Sequence, residues 1–250
     1  MSVAVTDLYK YIYSFELREK MKKQDTFNEI EKEWSLFFSN PFEEFGLLRY
    51  IIREAHFKKA KKYNNNDSFI TREEWEKYYF WSGSQRKRKQ DKNPKSDTYK
   101  TNMYYGRTIE EIVDSATKFL SFHKEKSDIK LTLQSALNFI IVKILDNTYE
   151  NYQRQMNTIL NLKSKFPECV FELTDELVCE SSAVDVFVYK NDEMVSGIQI
   201  SDEHEEKSQS PETKSEQEQK HKLFEIAYGL SPQKIYSSTT GLIKGALPNF

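Results

Sequence analysis

The chain has 250 residues, of which 38% are hydrophobic and 30% are charged, and its formal net charge is -2. This length allows a sizeable core and predicts a soluble globular protein of one decorated domain or two small ones. The composition argues against a membrane-spanning or secreted class, because no apolar run approaches about 20 residues and the N-terminus lacks a secretory pattern, so we expect a cytoplasmic protein with no membrane contact.

Cysteine and histidine chemistry is not expected. The two cysteines, Cys169 and Cys179, cannot form a disulfide framework, and their spacing is not that of a zinc site. The four histidines are scattered without metal-ligand spacing. We predict that these residues are ordinary core or surface side chains.

Residues 1–125 are predicted to form a mainly helical N-terminal region. Thr26 and Glu29 have the spacing of a helix capping box, and so do Thr108 and Glu111. Pro41 has the position of a first helical residue. Apolar residues follow each of these starts at steps of three and four, which is the period of a helix packed on one face.

Helical periodicity breaks between residues 63 and 105, where a basic block interrupts the chain. We interpret residues 84–100 as a loop, and its most basic part is Arg86, Lys87, Arg88 and Lys89. Such a block is usually a solvated loop, and it also resembles a nuclear localisation signal. Interleaved with aromatic residues, it is alternatively a contact to the DNA backbone.

Residues 126–250 are predicted to form an α/β core. A long helical pattern over residues 131–165 stops before Pro167 and is followed by a strand at 169–173. Strands at 182–189 and 195–201, a helix at 212–230 and a strand at 234–239 complete the order α-β-β-β-α-β.

The candidate site lies on the second and third of these strands. Asp185 stands at the mouth of the second strand. Because successive side chains of a strand point to opposite faces, Gln199 and Ser201 share one face of the third, while Ile198 and Ile200 enter the core. The sequence therefore places one carboxylate beside a neutral polar pair.

This arrangement resembles the core of the PD-(D/E)xK nuclease superfamily, which includes most type II restriction endonucleases. The resemblance covers about residues 131–239, and residues 145–149 (Leu-Asp-Asn-Thr-Tyr) are similar to a helix segment of restriction enzymes of the MjaI type. It implies a sequence-specific endonuclease that cuts double-stranded DNA with Mg²⁺, Asp185 being a metal ligand. It also implies a homodimer for a palindromic site.

The chain departs from that pattern in two positions. Gln199 stands where the family has an acidic residue, and Ser201 stands where it has a lysine. Three interpretations follow. In the first, the site is active, Gln199 and Ser201 complete it, and a carboxylate such as Glu150 or Glu172 supplies the missing charge. In the second, the chain keeps the nuclease fold but only binds DNA or has a regulatory role. In the third, the likeness is accidental and the chain is a helical interaction protein. An active site requires two or more carboxylates around Asp185.

Overall fold

A computed structural model of the chain describes residues 14–23, 27, 30, 41–65, 68–92, 105–124, 131–174, 182–202, 211–238, 240–244, 247, 248 and 250. These residues divide into two compact units. One is formed from Met1–Ala55 and Ile70–Tyr149, and the other from His56–Phe69 and Glu150–Phe250. This division differs from the predicted boundary at 125/126, because it falls inside the long helical segment.

The described residues of the first unit form helices and no strand. The helices of the described residues, over both units, are α1 (Phe15–Lys22), α2 (Pro41–Tyr63), α3 (Arg72–Lys92), α4 (Ile109–Lys124), α5 (Leu133–Ile141), a π-helical segment (Val142–Asn147), α6 (Thr148–Lys165) and α7 (Pro211–Tyr228). The predicted helical N-terminal region is confirmed. The helix expected after Thr26 lies mostly outside the described residues, although Phe27 and Ile30 are helical and buried.

The prediction of a loop at residues 84–100 is wrong for residues 84–92, which belong to α3. This helix begins with a capping box: the Thr71 hydroxyl accepts the Glu74 backbone N–H at 3.2 Å, and the Glu74 carboxylate accepts the Thr71 backbone N–H at 2.7 Å. Trp75 and Tyr79, one turn apart, are both 0% exposed and anchor the helix. Residues 93–100 lie outside the described residues.

The π-helical segment is held by buried charges. Asp146 is 0% exposed, and its carboxylate accepts hydrogen bonds from Arg18 Nε at 2.8 Å and from Arg72 Nη1 at 2.5 Å. Arg18 also donates to Glu76 at 2.5 Å. The segment that resembles a restriction-enzyme helix thus places its aspartate in a structural ion network of the first unit.

The second unit contains a sheet with the strand order β1 (Cys169–Leu173), β2 (Val186–Lys190), β3 (Glu193–Ser201), β4 (Gln233–Ser237) and β5 (Ile243–Lys244). Neighbouring strands are antiparallel except β3 and β4, which are parallel. A parallel pair needs a crossover, and α7 supplies it. The predicted mixed α/β class and the element order are confirmed, and the short β5 is an addition.

Helices cover both faces of β3. On one face, Thr158 of α6 donates to Ser237 of β4 at 2.8 Å. On the other, a Cβ built on Gly197 lies 2.6 Å from the Phe224 ring of α7, so only glycine fits there. Residues 196–200 are consequently all buried. This is typical of a strand enclosed by two helical layers.

Candidate functional site

Asp185 lies directly before β2, and its backbone is fixed on both sides. Its N–H donates to the Ile198 carbonyl at 2.8 Å, and its carbonyl accepts the Thr174 N–H at 2.9 Å. Ala183, two residues earlier, has a φ of 55°, a conformation that costs energy in a residue with a Cβ. Backbone strain of this kind persists only where the surroundings fix the chain, and it marks this bend as a determined feature of the fold.

Both carboxylate oxygens of Asp185 are engaged by N–H donors. Oδ1 accepts Gln155 Nε2 of α6 at 2.9 Å, and Oδ2 accepts the backbone N–H of Ile200 at 2.9 Å. The residue is 4% exposed. Asp185 therefore ties the mouth of β2 to α6 and to the end of β3, which is a sufficient structural reason for a buried carboxylate.

Gln199 and Ser201 share one face of β3, as the alternation predicts. In the register with β4 they lie beside Lys234 and Tyr236 respectively. Gln199 is 8% exposed, because the helix α7 covers this face as well. Its Oε1 is buried and has no hydrogen-bond partner among the described residues. Ile198 and Ile200 are buried as predicted.

A further acidic residue, Asp202, stands directly after β3. The Asp202 carboxylate lies 3.5 Å from Nη2 of Arg154, the residue before Gln155 in α6. Two adjacent residues of α6 thus hold the two acids, Arg154 at Asp202 and Gln155 at Asp185. Their position about two helical turns into α6 gave no signal of this role.

The two carboxylates expected to support Asp185, Glu172 and Glu150, belong to β1 and α6. Glu172 is exposed on β1, pairs in register with Phe187, and lies close enough to Tyr189 to help burial raise the pKa of that phenol. Glu172 also borders a cleft of about 130 Å³ with His56 and Lys163. Glu150 lies at the start of α6.

The four basic residues Arg86, Lys87, Arg88 and Lys89 lie in the last turns of α3. Their side chains are outside what the structure describes. Their backbone belongs to a helix that continues to Lys92. The block is therefore presented by a helix end and not by a loop.

The donor set described around Asp185 offers Mg²⁺ a single carboxylate. This ion prefers octahedral oxygen donors and is usually held by carboxylates. Within the described ranges no group of three or more His, Cys, Asp or Glu side chains is placed to hold a metal ion. Each Asp185 oxygen already accepts one N–H, so a metal ion has only the remaining lone pairs of this carboxylate, and Gln199 contributes a neutral oxygen only.

Cysteine and histidine take the places expected of core residues. Cys169 is buried, and burial raises the pKa of its thiol. His56 is 4% exposed, with Nδ1 at 2.9 Å from the Tyr152 hydroxyl. Cys179 and His204 lie outside the described residues.

Comparisons with known proteins do not assign the chain to a family. Comparison with protein-family models, with curated proteins and with solved structures finds no match to this chain. Within the described residues, no helix has the length and apolar character needed to cross a membrane. Function is therefore inferred from the geometry around Asp185.

Proposed function

We propose that this chain binds double-stranded DNA through a restriction-endonuclease-like core, at residues 126–250, without cleaving it. The observation that supports this function best is the state of Asp185. It stands at the mouth of the second strand of an α-β-β-β-α-β order, where a nuclease of this type holds metal, yet both of its oxygens accept N–H bonds.

The chemistry of cleavage supports the same proposal. Hydrolysis of a phosphodiester needs charge neutralisation at the phosphate and a water of lowered pKa, which a divalent ion provides when carboxylates hold it. Here one carboxylate is engaged structurally, and neither Gln199 nor Ser201 carries a charge. Such a scaffold retains a surface for DNA and lacks the groups that activate water.

Binding is tested by the salt dependence of duplex DNA affinity. Replacing Arg86, Lys87, Arg88 and Lys89 together by alanine is expected to weaken binding and to reduce the slope of log K against log salt. Each lost phosphate contact changes the slope by about 0.9, so the quadruple variant lowers it by up to roughly 3–4. Fluorescence anisotropy with a mixed-sequence duplex between 50 and 200 mM salt measures this slope.

A matched control removes the same charge elsewhere. Four exposed lysines of other helices are replaced by alanine together: Lys61, Lys62, Lys118 and Lys165. This control is expected to keep most of the slope. An equal loss of slope in both variants assigns DNA attraction to overall charge, and an unchanged slope in the first variant removes the α3 end from the interface.

A second candidate function is a site-specific, Mg²⁺-dependent DNA endonuclease of the type II class. The observation that favours it is the buried Oε1 of Gln199, which lacks a hydrogen-bond partner among the described residues and is an oxygen donor for a hard cation. In this function Asp185 is the charged metal ligand, with Gln199 and Ser201 beside it. Cutting both strands of a palindromic site requires a symmetric homodimer.

A further inference from the structure

A polar cluster lies where α7 covers β3 and β4. The parallel pairing places Gln199 beside Lys234, and paired residues of neighbouring strands project from the same face. That face is the one covered by α7, because Gly197, two residues before Gln199, meets Phe224 of that helix. His221 lies one turn before Phe224 on the same helix.

Two buried atoms of this cluster have no hydrogen-bond partner among the described residues. They are Oε1 of Gln199, a side chain that is 8% exposed, and Nε2 of His221. Buried polar atoms in native proteins are nearly always satisfied by protein groups, by water or by a ligand. Gln199 is the register partner of Lys234, and the charge of Lys234 acts on His221, so one group bound beside Lys234 can satisfy both atoms.

The charges around His221 define what that group can be. Burial, and then the positive charge of Lys234, lower the pKa of the His221 imidazole, while Glu225 and Glu218 act in the opposite direction. The ring is therefore neutral at pH 7, and Lys234 is the cation of the cluster. Both glutamates are exposed, and Glu225 accepts a hydrogen bond from Ser231 at 2.8 Å.

We propose that Gln199, His221 and Lys234 form a binding site for a phosphate group that carries an O–H, namely inorganic phosphate or the monoanion of a phosphate monoester. Lys234 and a ring N–H of His221 donate to its anionic oxygens, and its hydroxyl donates to Oε1 of Gln199. Lys234 and His221 are half-exposed, so the group enters from solvent and Gln199 forms the buried end.

The acceptor at Gln199 makes the site selective. A backbone phosphodiester and a sulfate ion carry negative charge but no O–H at pH 7, so they leave Oε1 unsatisfied. An unmet buried hydrogen bond discriminates strongly between otherwise similar ligands. This inference rests on the proposed function in one respect, because Gln199 is free to accept from phosphate only if it binds no metal ion.

Calorimetric titration of the full chain with phosphate and with sulfate, in EDTA at pH 7, tests the site. Phosphate is expected to bind at least about tenfold more tightly than sulfate, a difference of about one buried hydrogen bond. Lys234→Gln is expected to lose both anions. Gln199→Met, similar in size but without an acceptor, loses the preference, and Lys222→Gln, an exposed neighbour of His221, leaves both affinities unchanged.

Side-chain nitrogen NMR locates the ligand, since phosphate is expected to shift the His221 ring signals and not those of buried His56. Competition with duplexes bearing a 5′-phosphate or a 5′-hydroxyl identifies the source. Displacement by the phosphorylated duplex alone assigns the site to a DNA end, and displacement by neither assigns it to free phosphate.

Equal affinity for phosphate and sulfate overturns the proposal. So does the absence of phosphate binding, or an effect of Lys222→Gln as large as that of Lys234→Gln. The calorimetric titrations contain no DNA, so they test the phosphate site even if the chain does not bind DNA. Lys234 is half-exposed, so its variant is expected to fold, which circular dichroism verifies.

Discussion

Asp146→Ala is expected to lower the free energy of unfolding by about 3–5 kcal/mol, because it removes the buried carboxylate that accepts hydrogen bonds from both Arg18 and Arg72. Asp146 is 0% exposed and accepts from Arg18 at 2.8 Å and from Arg72 at 2.5 Å. Arg18 itself is 2% exposed, so water cannot take over its hydrogen bonds. Urea denaturation followed by circular dichroism measures the loss.

The matched control is Asp114→Ala in α4. Asp114 also pairs with a cation, Lys118, at 2.5 Å, but the two side chains are 60% and 67% exposed. An exposed pair of this kind contributes about 0–1 kcal/mol. If both variants lose the same stability, burial of the Asp146 network is not what stabilises the first unit.

Asp185→Ala is expected to lower the free energy of unfolding by at least about 2 kcal/mol, because each buried donor left without an acceptor costs about 1–3 kcal/mol. The donors are Gln155 Nε2 and the Ile200 N–H. The same denaturation experiment measures this loss. The result bears on function. A carboxylate retained to bind a metal commonly destabilises the fold, and its removal then raises the free energy of unfolding.

Asp185→Asn is the control that separates hydrogen bonding from charge. The asparagine carbonyl can accept the Ile200 N–H, and its amide can donate to Gln155 once the Gln155 amide turns over. Most of the stability is therefore expected to return in this variant, although the charge is gone. An Asp185→Ala protein that is as stable as the native chain, or more stable, contradicts a structural role for the carboxylate.

The four longer strands of the sheet were predictable because each has a local sequence signal. Residues 169–173 alternate buried and exposed side chains and form β1, and the turn at Asn191 and Asp192 adopts the positive φ values that a tight hairpin requires. Gly229, with a φ of 68°, ends α7 as a helix-terminating glycine. These signals depend on a few neighbouring residues, so the sequence alone carries them.

The site was less predictable, because its contacts join distant parts of the chain. Gln155 and Asp185 are 30 residues apart, and nothing near Gln155 distinguishes it from other polar residues of a long helix. The α7 layer that buries Gln199 likewise depends on the crossover between β3 and β4. The α3 helix, in contrast, had a readable start in Thr71 and Glu74, which the aromatic and basic residues after it obscured.

The measurement that tests the central claim most directly is incubation of the purified protein with plasmid and genomic DNA at low salt, in Mg²⁺, in Mn²⁺ and in EDTA. The native chain and the Asp185→Asn variant are compared on the same gels. Binding without cleavage predicts retarded, intact DNA from both proteins in every condition. Discrete fragments that need a divalent metal and disappear in Asp185→Asn contradict that claim and establish a site-specific endonuclease.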